Sequence, residues 1–136
     1  SDKARELGLT PLARVHSAVL AAADPVIMLT APIPATRKAL QRSGLRLDEI
    51  GVFEVNEAFA AVPLAWLADL AGGDTGVEKA LNPGGGAIAI GHPLGASGAR
   101  LMTAMVHHQR AFGIRYGLQT MCEGGGQANA TILELL

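Results

Sequence analysis

Apolar and polar side chains alternate at the start of the first predicted element of the chain. Within residues 12–23 this period of two is clearest at the start (Ala13, Arg14, Val15, His16). Side chains on a strand point alternately to opposite faces, so the pattern predicts a β-strand with one face on a core. An Asp-Pro pair follows and ends the strand.

A helix and a second strand come next, each bounded by residues that start or stop regular structure. The prolines within residues 32–34 predict a helix start and Ser43-Gly44 its end, because proline fits the first helical turn and glycine follows the last. Gly51–Val55 is short and largely apolar, which predicts a strand. Asn56 is then placed to cap a further helix, in which Pro63 predicts a kink or a restart.

The helix predicted from Ala96 differs from the others because it is apolar on nearly every side. Between Ala96 and Val106 the only exceptions are Ser97, Arg100 and Thr103. A helix that is apolar all round needs cover all round. We therefore expect it to run through the centre of something larger.

Two strands, Tyr116–Cys122 and Ala128–Leu135, close the chain and are joined by the glycine turn Gly124–Gly126. The order of elements is strand, helix, strand, helix, a glycine-rich passage, helix, strand and strand. This order predicts an α/β layered fold with a mixed sheet.

Composition narrows the class of protein. A chain of 136 residues suits one domain, and a formal net charge of −1 gives no bulk attraction to nucleic acid or to an anionic membrane. No apolar run is long enough to span a bilayer, and the first residues lack the pattern of a signal peptide. Cys122 is the single cysteine, so an internal disulfide and a CxxC metal site are excluded, and a reducing, cytoplasmic setting is expected.

Cys122 is the first of two candidate proton-transfer residues. It ends a predicted strand beside Gly124–Gly126, whose backbone N–H groups can form an anion-binding concavity. Such a setting predicts a thiol pKa below its usual ~8.5, and strand alternation predicts that the Glu123 carboxylate lies away from the sulfur. The alternative interpretation is structural, with the cysteine packed as a small buried hydrophobe.

His92 is the second candidate. It lies between Gly91 and Pro93, a few residues before the apolar helix, whose positive N-terminal end favours a nearby thiolate or oxyanion. An imidazole and a thiol set in glycine-rich backbone suit chemistry on thioesters. The alternatives are a structural histidine at this position and, for Asn56, a helix cap.

Three motifs occur in an order that resembles the C-terminal half of a thiolase: Asn56–Phe59, then Asn82–Arg100 with its Gly-His-Pro, then Cys122–Gly126. The similarity covers essentially the whole chain, so we interpret residues 1–136 as a thiolase C-terminal domain whose N-terminal half is absent. The resemblance implies a five-stranded mixed sheet with helices on both faces. It also implies cleavage of a 3-ketoacyl-CoA, as in β-oxidation, with acyl-CoA substrates, coenzyme A as co-substrate, and neither a metal nor a covalently bound cofactor.

The resemblance also implies roles for single residues. His92 matches the histidine that activates the family's nucleophile, and Asn56 matches the residue that holds a water in the same oxyanion hole. Cys122 matches the cysteine that moves the α-proton of acetyl-CoA, and Gly124 matches the glycine whose N–H supports the other oxyanion. Positions near the thioester end of the coenzyme A or acyl pocket are matched by Met28, Ala58 and Phe59.

One departure from the family concerns the nucleophile. The family's first cysteine lies in the N-terminal half, and Cys122 has the sequence context of the second, so we expect no turnover by the chain alone. We expect pairing with an N-terminal half, or a homo-oligomer formed through the apolar helix. Leu29, where many thiolases have glycine, is expected to reshape the acyl pocket. Two other functions stay open: biosynthetic condensation of acetyl-CoA, and a thiolase-fold module that binds acyl-CoA or a protein without catalysis.

Overall fold

The computed structural model describes residues 1–136. Its helices and strands, in chain order, are α1 Asp2–Glu6, β1 Ala13–Ala22, α2 Pro32–Ser43, β2 Val52–Val55, α3 Ala61–Leu70, α4 Thr75–Lys79, α5 Ala87–Ile90, α6 Ser97–Phe112, β3 Tyr116–Glu123 and β4 Gln127–Leu135. The predicted strands and long helices are confirmed with small shifts at their ends, whereas no pattern predicts the short helices α1, α4 and α5. None of the helices has the length and apolar character that crossing a membrane requires.

The four strands form one mixed sheet in the order β1-β4-β3-β2. β2 lies parallel to β3, and β4 is antiparallel to both β3 and β1. β1, β2 and β3 therefore run in the same direction, and their carboxyl ends lie at one edge of the sheet. α2 and α3 pack on one face and α6 packs on the other, which confirms the predicted α/β class.

The sheet has four strands and not the expected five. Beyond β2, a single residue, Leu81, forms one parallel bridge to Phe53. Asn82 then adopts a φ of +46°, which takes the backbone out of the extended conformation. Its side chain replaces further strand pairing, because Asn82 Oδ1 accepts from Val55 N at 2.8 Å and Asn82 Nδ2 donates to Val55 O at 2.9 Å.

The main core lies between the sheet and the layer formed by α2 and α3. Trp66 and Phe53 are fully buried there, with ring centroids 5.1 Å apart. Trp66 Nε1 donates to Thr36 Oγ1 at 2.9 Å, and Thr36 Oγ1 donates to Pro32 O at 2.8 Å. The buried indole N–H is therefore satisfied, and its hydrogen bond joins α3 to α2.

α6 buries only one stripe of its surface. Its buried residues recur every four positions (Ser97, Leu101, Met105, Gln109), which is the spacing of a single helix face. Ala99, Thr103 and Ala104 stay exposed. The sequence predicts that α6 is buried on all sides, but this chain buries only one face of the helix. The opposite side of α6 is exposed.

Two predictions at the start of α3 have different outcomes. Asn56 is not its cap, since the helix begins at Ala61 with Ala60 at the N-cap position. Asn56 instead follows the last residue of β2, where its backbone N–H donates to Thr120 O at 3.0 Å. Pro63 lies in the first turn of α3, where its missing N–H removes no helical hydrogen bond, so it accompanies a helix start, one of its two predicted effects.

Candidate active site

Strand direction brings the segments that carry the candidate residues to one edge of the sheet. Met28 follows β1, Ala58 and Phe59 follow β2, and Cys122 lies at the end of β3. The carboxyl ends of these three strands lie at the same edge, which is where open α/β sheets form their sites. The His92 segment precedes α6 and borders the same space.

A cavity of about 270 Å³ opens between these segments. It is lined by Met28, Leu29, Ala58, Phe59, His92, Leu94, Cys122, Glu123 and Gly124. The structure thus brings together all the residues singled out from the sequence except Asn56. Most of the wall is apolar, and it carries one thiol and one imidazole that can exchange protons.

The loop after β1 is held by the glycine turn between β3 and β4. Ala23 N donates to Gly126 O at 2.8 Å, and a Cβ at Gly126 would lie 2.9 Å from both Ala23 O and Pro25 Cα. Gly126 also has a φ of +77°, which glycine adopts without strain. Met28, at the cavity, has a φ of +64°, an uncommon conformation for a long side chain. The backbone that presents Met28 is therefore packed against the turn that follows Cys122.

His92 is oriented by a hydrogen bond to Ser97. His92 Nδ1 lies 2.6 Å from Ser97 Oγ, and Ser97 Oγ donates to Pro93 O at 3.1 Å. The hydroxyl proton of Ser97 has two acceptors within reach, Pro93 O and His92 Nδ1, and where it goes to the carbonyl, Nδ1 is the donor to Ser97 Oγ. The neutral ring then has its lone pair on Nε2. This tautomer is an acceptor at Nε2, as a general base must be.

Arg100 holds the backbone that leads to His92. Its terminal nitrogens donate to Ile90 O, at 3.1 Å, and to Gly91 O. Ser97 and Arg100 therefore fix the loop from the first turns of α6. The sequence analysis identified neither as a site residue, because it treated both only as polar residues in an otherwise apolar helix. Their spacing of three residues, which places them on neighbouring positions of one face, is the signal that points to a shared role.

Cys122 is half-buried and packs against the main core. Burial raises the pKa of the Cys122 thiol above its usual value, while its own backbone N–H opposes that rise and the Glu123 carboxylate adds to it. The predicted lowering of this pKa is wrong for this chain, because loss of water around the sulfur outweighs the neighbouring N–H groups. The Glu123 carboxylate accepts from Asn129 Nδ2 at 3.0 Å, on the α6 side of the sheet, as strand alternation predicts.

Asn56 is not among the residues that line the cavity. It is 0% exposed at the carboxyl end of β2, and neither Oδ1 nor Nδ2 has a hydrogen-bond partner within the chain. Buried polar atoms without partners are costly, so this amide still needs a structural or functional explanation.

Comparison with known proteins identifies the family. A family model described as "Thiolase, C-terminal domain" matches residues 9–135. The chain belongs to the thiolase family. This thiolase domain is 56% identical over 132 residues to a steroid 3-ketoacyl-CoA thiolase of Mycobacterium tuberculosis, covering 97% of the domain and 31% of the relative. It is 48% identical over 133 residues to a 3-ketoacyl-CoA thiolase of Aliivibrio salmonicida, covering 98% of the domain and 34% of the relative.

A solved structure has the same fold. The crystal structure of the Bacillus anthracis acetyl-CoA acetyltransferase matches this thiolase domain with a TM-score of 0.92 at 38% sequence identity, covering 100% of the domain and 34% of that chain. The resemblance to a thiolase C-terminal domain, first based on three motifs, is confirmed. The domain spans about a third of the length of the relatives that it matches.

Proposed function

We propose that this thiolase domain supplies half of an acyl-transfer site that cleaves a 3-ketoacyl-CoA with coenzyme A. The products are acetyl-CoA and an acyl-CoA shortened by one acetyl unit. The observation that carries the proposal is the meeting of His92, Cys122 and Gly124 in one cavity with the predicted pocket residues (Met28, Ala58, Phe59). A larger cavity of about 580 Å³ beside α6 contains neither cysteine nor histidine, so it does not compete for this role.

The first half-reaction needs a nucleophilic cysteine in addition to Cys122, and residues 1–136 do not contain one. Cys122 is their single cysteine, so a cysteine from elsewhere attacks the 3-keto carbon while His92 Nε2 accepts its proton. The bond between C2 and C3 breaks, its electron pair forms the acetyl-CoA enolate, and the Cys122 thiol donates a proton to C2. Gly124 N–H is assigned to the oxyanion that forms on the way, where one donor is typically worth about 3–4 kcal/mol.

Before the second half-reaction, His92 passes the proton that it took from the nucleophile to the Cys122 thiolate, so both groups return to their starting forms. His92 then accepts the proton of the coenzyme A thiol, the sulfur attacks the acyl group, and the nucleophilic cysteine leaves as a thiolate that regains the proton from His92. The raised pKa of Cys122 supports the cleavage direction, because a protonated thiol is the form that can donate to an enolate. Condensation of two acetyl-CoA molecules would use the same residues in reverse and is the alternative.

Asn56 is proposed to hold a water in the oxyanion hole served by His92. Its support is the buried amide whose two polar atoms lack partners within the chain. A water bridging such groups typically makes two to four hydrogen bonds, and this amide offers one acceptor oxygen and one NH2 donor. Unlike a merely structural asparagine at the end of β2, this one has its full hydrogen-bonding capacity free.

The other half of the site is proposed to come from an N-terminal thiolase half that covers the open side of α6. A groove of about 580 Å³ lies beside α6 and is lined in part by Val19, Leu20 and Met102. A second, mostly apolar groove of about 380 Å³ lies along Met102 and Val106. Open apolar surface of this kind favours a covering surface. Residues 1–136 then act as the C-terminal domain of a larger thiolase, and self-association through this side of α6 is the alternative.

The proposed substrate carries a bulky acyl group of the steroid kind. The relative named for steroid 3-ketoacyl-CoA is 56% identical to this domain, compared with 48% for the Aliivibrio salmonicida 3-ketoacyl-CoA thiolase. Leu29 lines the cavity beside Met28, where its bulk shapes the acyl pocket. A comparison of kcat/KM for acetoacetyl-CoA and for a steroid side-chain 3-ketoacyl-CoA tests this, and preference for acetoacetyl-CoA would favour the biosynthetic alternative. A reducing compartment such as the cytoplasm, in which Cys122 stays a thiol, completes the proposal.

Reconstitution with the N-terminal half of a 3-ketoacyl-CoA thiolase tests the proposed function. The complex is expected to consume acetoacetyl-CoA in a coenzyme A-dependent manner, and the domain alone is expected to show no turnover. His92→Ala and Cys122→Ala should each lower kcat by about 100-fold or more, the usual contribution of a general acid or base. The matched control is His108→Ala, since His108 stacks on Phe112 at the far end of α6. Near-normal turnover in either site variant contradicts the assignment and favours a binding module without catalysis.

A further inference from the structure

The carboxylate of Glu57 joins the end of β2 to the segment that carries His92. Its two oxygens accept from Asn82 Nδ2 and from Ile88 N, both at 2.9 Å. Asn82 is itself bonded to the backbone N–H and carbonyl of Val55, the last residue of β2. A continuous path of hydrogen bonds therefore runs from the sheet, through Asn82 and Glu57, to the first turn of α5, which directly precedes Gly91 and His92.

The Glu57 carboxylate occupies space that a side chain would otherwise take. Gly86 is buried at the N-cap position of α5 and has no side chain that could cap the helix. A Cβ at Gly86 would overlap the Glu57 carboxyl group, so the two residues are in direct contact. Glu57 thus supplies the cap that Gly86 cannot, because it accepts from the free N–H of Ile88 in the first turn.

Glu57 lies among residues of the candidate site on its own segment. Asn56 precedes it, and Ala58 and Phe59, which line the cavity, follow it. His92 lines the same cavity from the other segment. The bond from Ile88 N to Glu57 is the single hydrogen bond between residues 84–92 and residues 56–59. These two parts of the site therefore depend on one carboxylate for their direct connection.

We propose that Glu57 is a positioning residue for the thiolase reaction: its carboxylate holds the His92 segment in register with the segment that carries Asn56 and the pocket residues. The inference rests on the proposed function, in which His92 and Asn56 serve the same oxyanion hole. Arg100 holds the His92 segment from α6, whereas Glu57 holds it from the sheet. Loss of the second attachment leaves the imidazole free to move relative to the Asn56 amide, and catalysis is sensitive to such displacements.

Kinetics of the reconstituted enzyme provide the first test. Asn82 Nδ2 is fixed as a donor, because both polar atoms of that amide are bonded to Val55. In Glu57→Gln the side chain keeps its shape but accepts from only one of its two donors and turns an NH2 group toward the other. This variant should lower kcat about 10- to 100-fold with KM unchanged, since a displacement of about 1 Å costs up to 100-fold. The matched control Glu78→Gln, at an exposed glutamate of α4, should retain kcat.

Gly86→Ala tests the same contact with the carboxylate still present. Gly86 has a φ of −85°, which any residue adopts, so the new Cβ disturbs only the end of the flexible Glu57 side chain. The expected fall in kcat is similar to that of Glu57→Gln. The matched control is Gly84→Ala, whose added Cβ meets nothing within 4 Å.

A double-mutant cycle shows whether the two changes act through one contact. Glu57→Ala frees the space beside Gly86, so adding Gly86→Ala to it should cause no further loss of kcat, as expected for residues in contact. If the two losses multiply in the double variant, the changes act independently and the inference is wrong. Wild-type kcat in folded Glu57→Gln and Gly86→Ala also overturns it.

Hydrogen exchange in the reconstituted complex provides a readout that needs no turnover. In Glu57→Gln and in Gly86→Ala, the backbone N–H groups of residues 86–91 should exchange faster than in the unmutated complex, because their attachment to the sheet is weakened. Glu78→Gln and Gly84→Ala should leave this exchange unchanged, and circular dichroism establishes that each variant is folded. Unchanged exchange in both site variants would contradict the inference, whereas an inactive unmutated complex would overturn the proposed function instead.

Discussion

Gly126→Ala is expected to destabilise the fold by about 2–5 kcal/mol, as the sum of a backbone cost and a packing cost. The φ of +77° at Gly126 costs an L residue about 1–2 kcal/mol. The new Cβ would lie 2.9 Å from Ala23 O, 2.9 Å from Pro25 Cα and 3.0 Å from Asp24 O. These are backbone atoms that cannot rotate away, so the overlap adds about 1–3 kcal/mol.

Gly125→Ala is the matched control in the same turn. Gly125 has a similar φ of +81°, but the atom nearest to the Cβ that alanine would add there is Gln127 Nε2 at 3.8 Å, so this variant has only the backbone cost. Urea unfolding followed by circular dichroism measures both free energies, and Gly126→Ala should lose about 1–3 kcal/mol more. Equal losses would refute the close packing of the turn on the loop after β1. Because that loop presents Met28, Gly126→Ala should also weaken acyl-CoA binding by the reconstituted enzyme.

Two further predictions concern a hydrogen bond and a group of ion pairs. Ser97→Ala should lower kcat of the reconstituted enzyme roughly 5- to 10-fold, since the bond that sets the His92 tautomer is worth about 1–1.4 kcal/mol; a His92 ring still protonated purely on Nδ1 would contradict that role. Arg14 and Arg115 donate to Glu134 and lower the pKa of its carboxyl to about 2. The resulting stabilisation is complete above the unfolded pKa of about 4.3 and is lost as the pH falls through about 2. The Tm should therefore fall more steeply with acid in the unmutated chain than in Glu134→Gln, and parallel curves would show that these ion pairs add no stability.

Much of the fold could be predicted because its signals are local. The alternation at the start of β1 depends on neighbouring residues alone, and α2 ends where Gly44 adopts a φ of +73°, the conformation that glycine provides after a helix. The short helices α1, α4 and α5 are too brief to show a helical period, so no pattern reveals them. The missing fifth strand is a different case. The side chain of Asn82 takes the place of backbone pairing, and a side chain bonded to the backbone leaves no hydrophobic periodicity in the sequence.

The residues in glycine-rich motifs could be predicted as site residues from the sequence. The properties that depend on burial in the folded chain could not. Asn56 favours a helix cap when considered locally, but its place at the end of a buried strand overrides that preference. Cys122 lies beside N–H groups that favour a thiolate, yet enclosure by the core raises its pKa. Ser97 and Arg100 show their roles only once the loop folds back over the first turns of α6.

The common edge at which β1, β2 and β3 end has a consequence for how this fold can change over evolution. Part of the cavity lining comes from the connections after β1 and β2, whereas the thiol lies at the end of β3 and the imidazole in the segment before α6. Each of these connections starts from its own anchored strand end, so one can be lengthened or rewritten without displacing the thiol. Selectivity and reactivity can therefore diverge at different rates in descendants of a single ancestral chain.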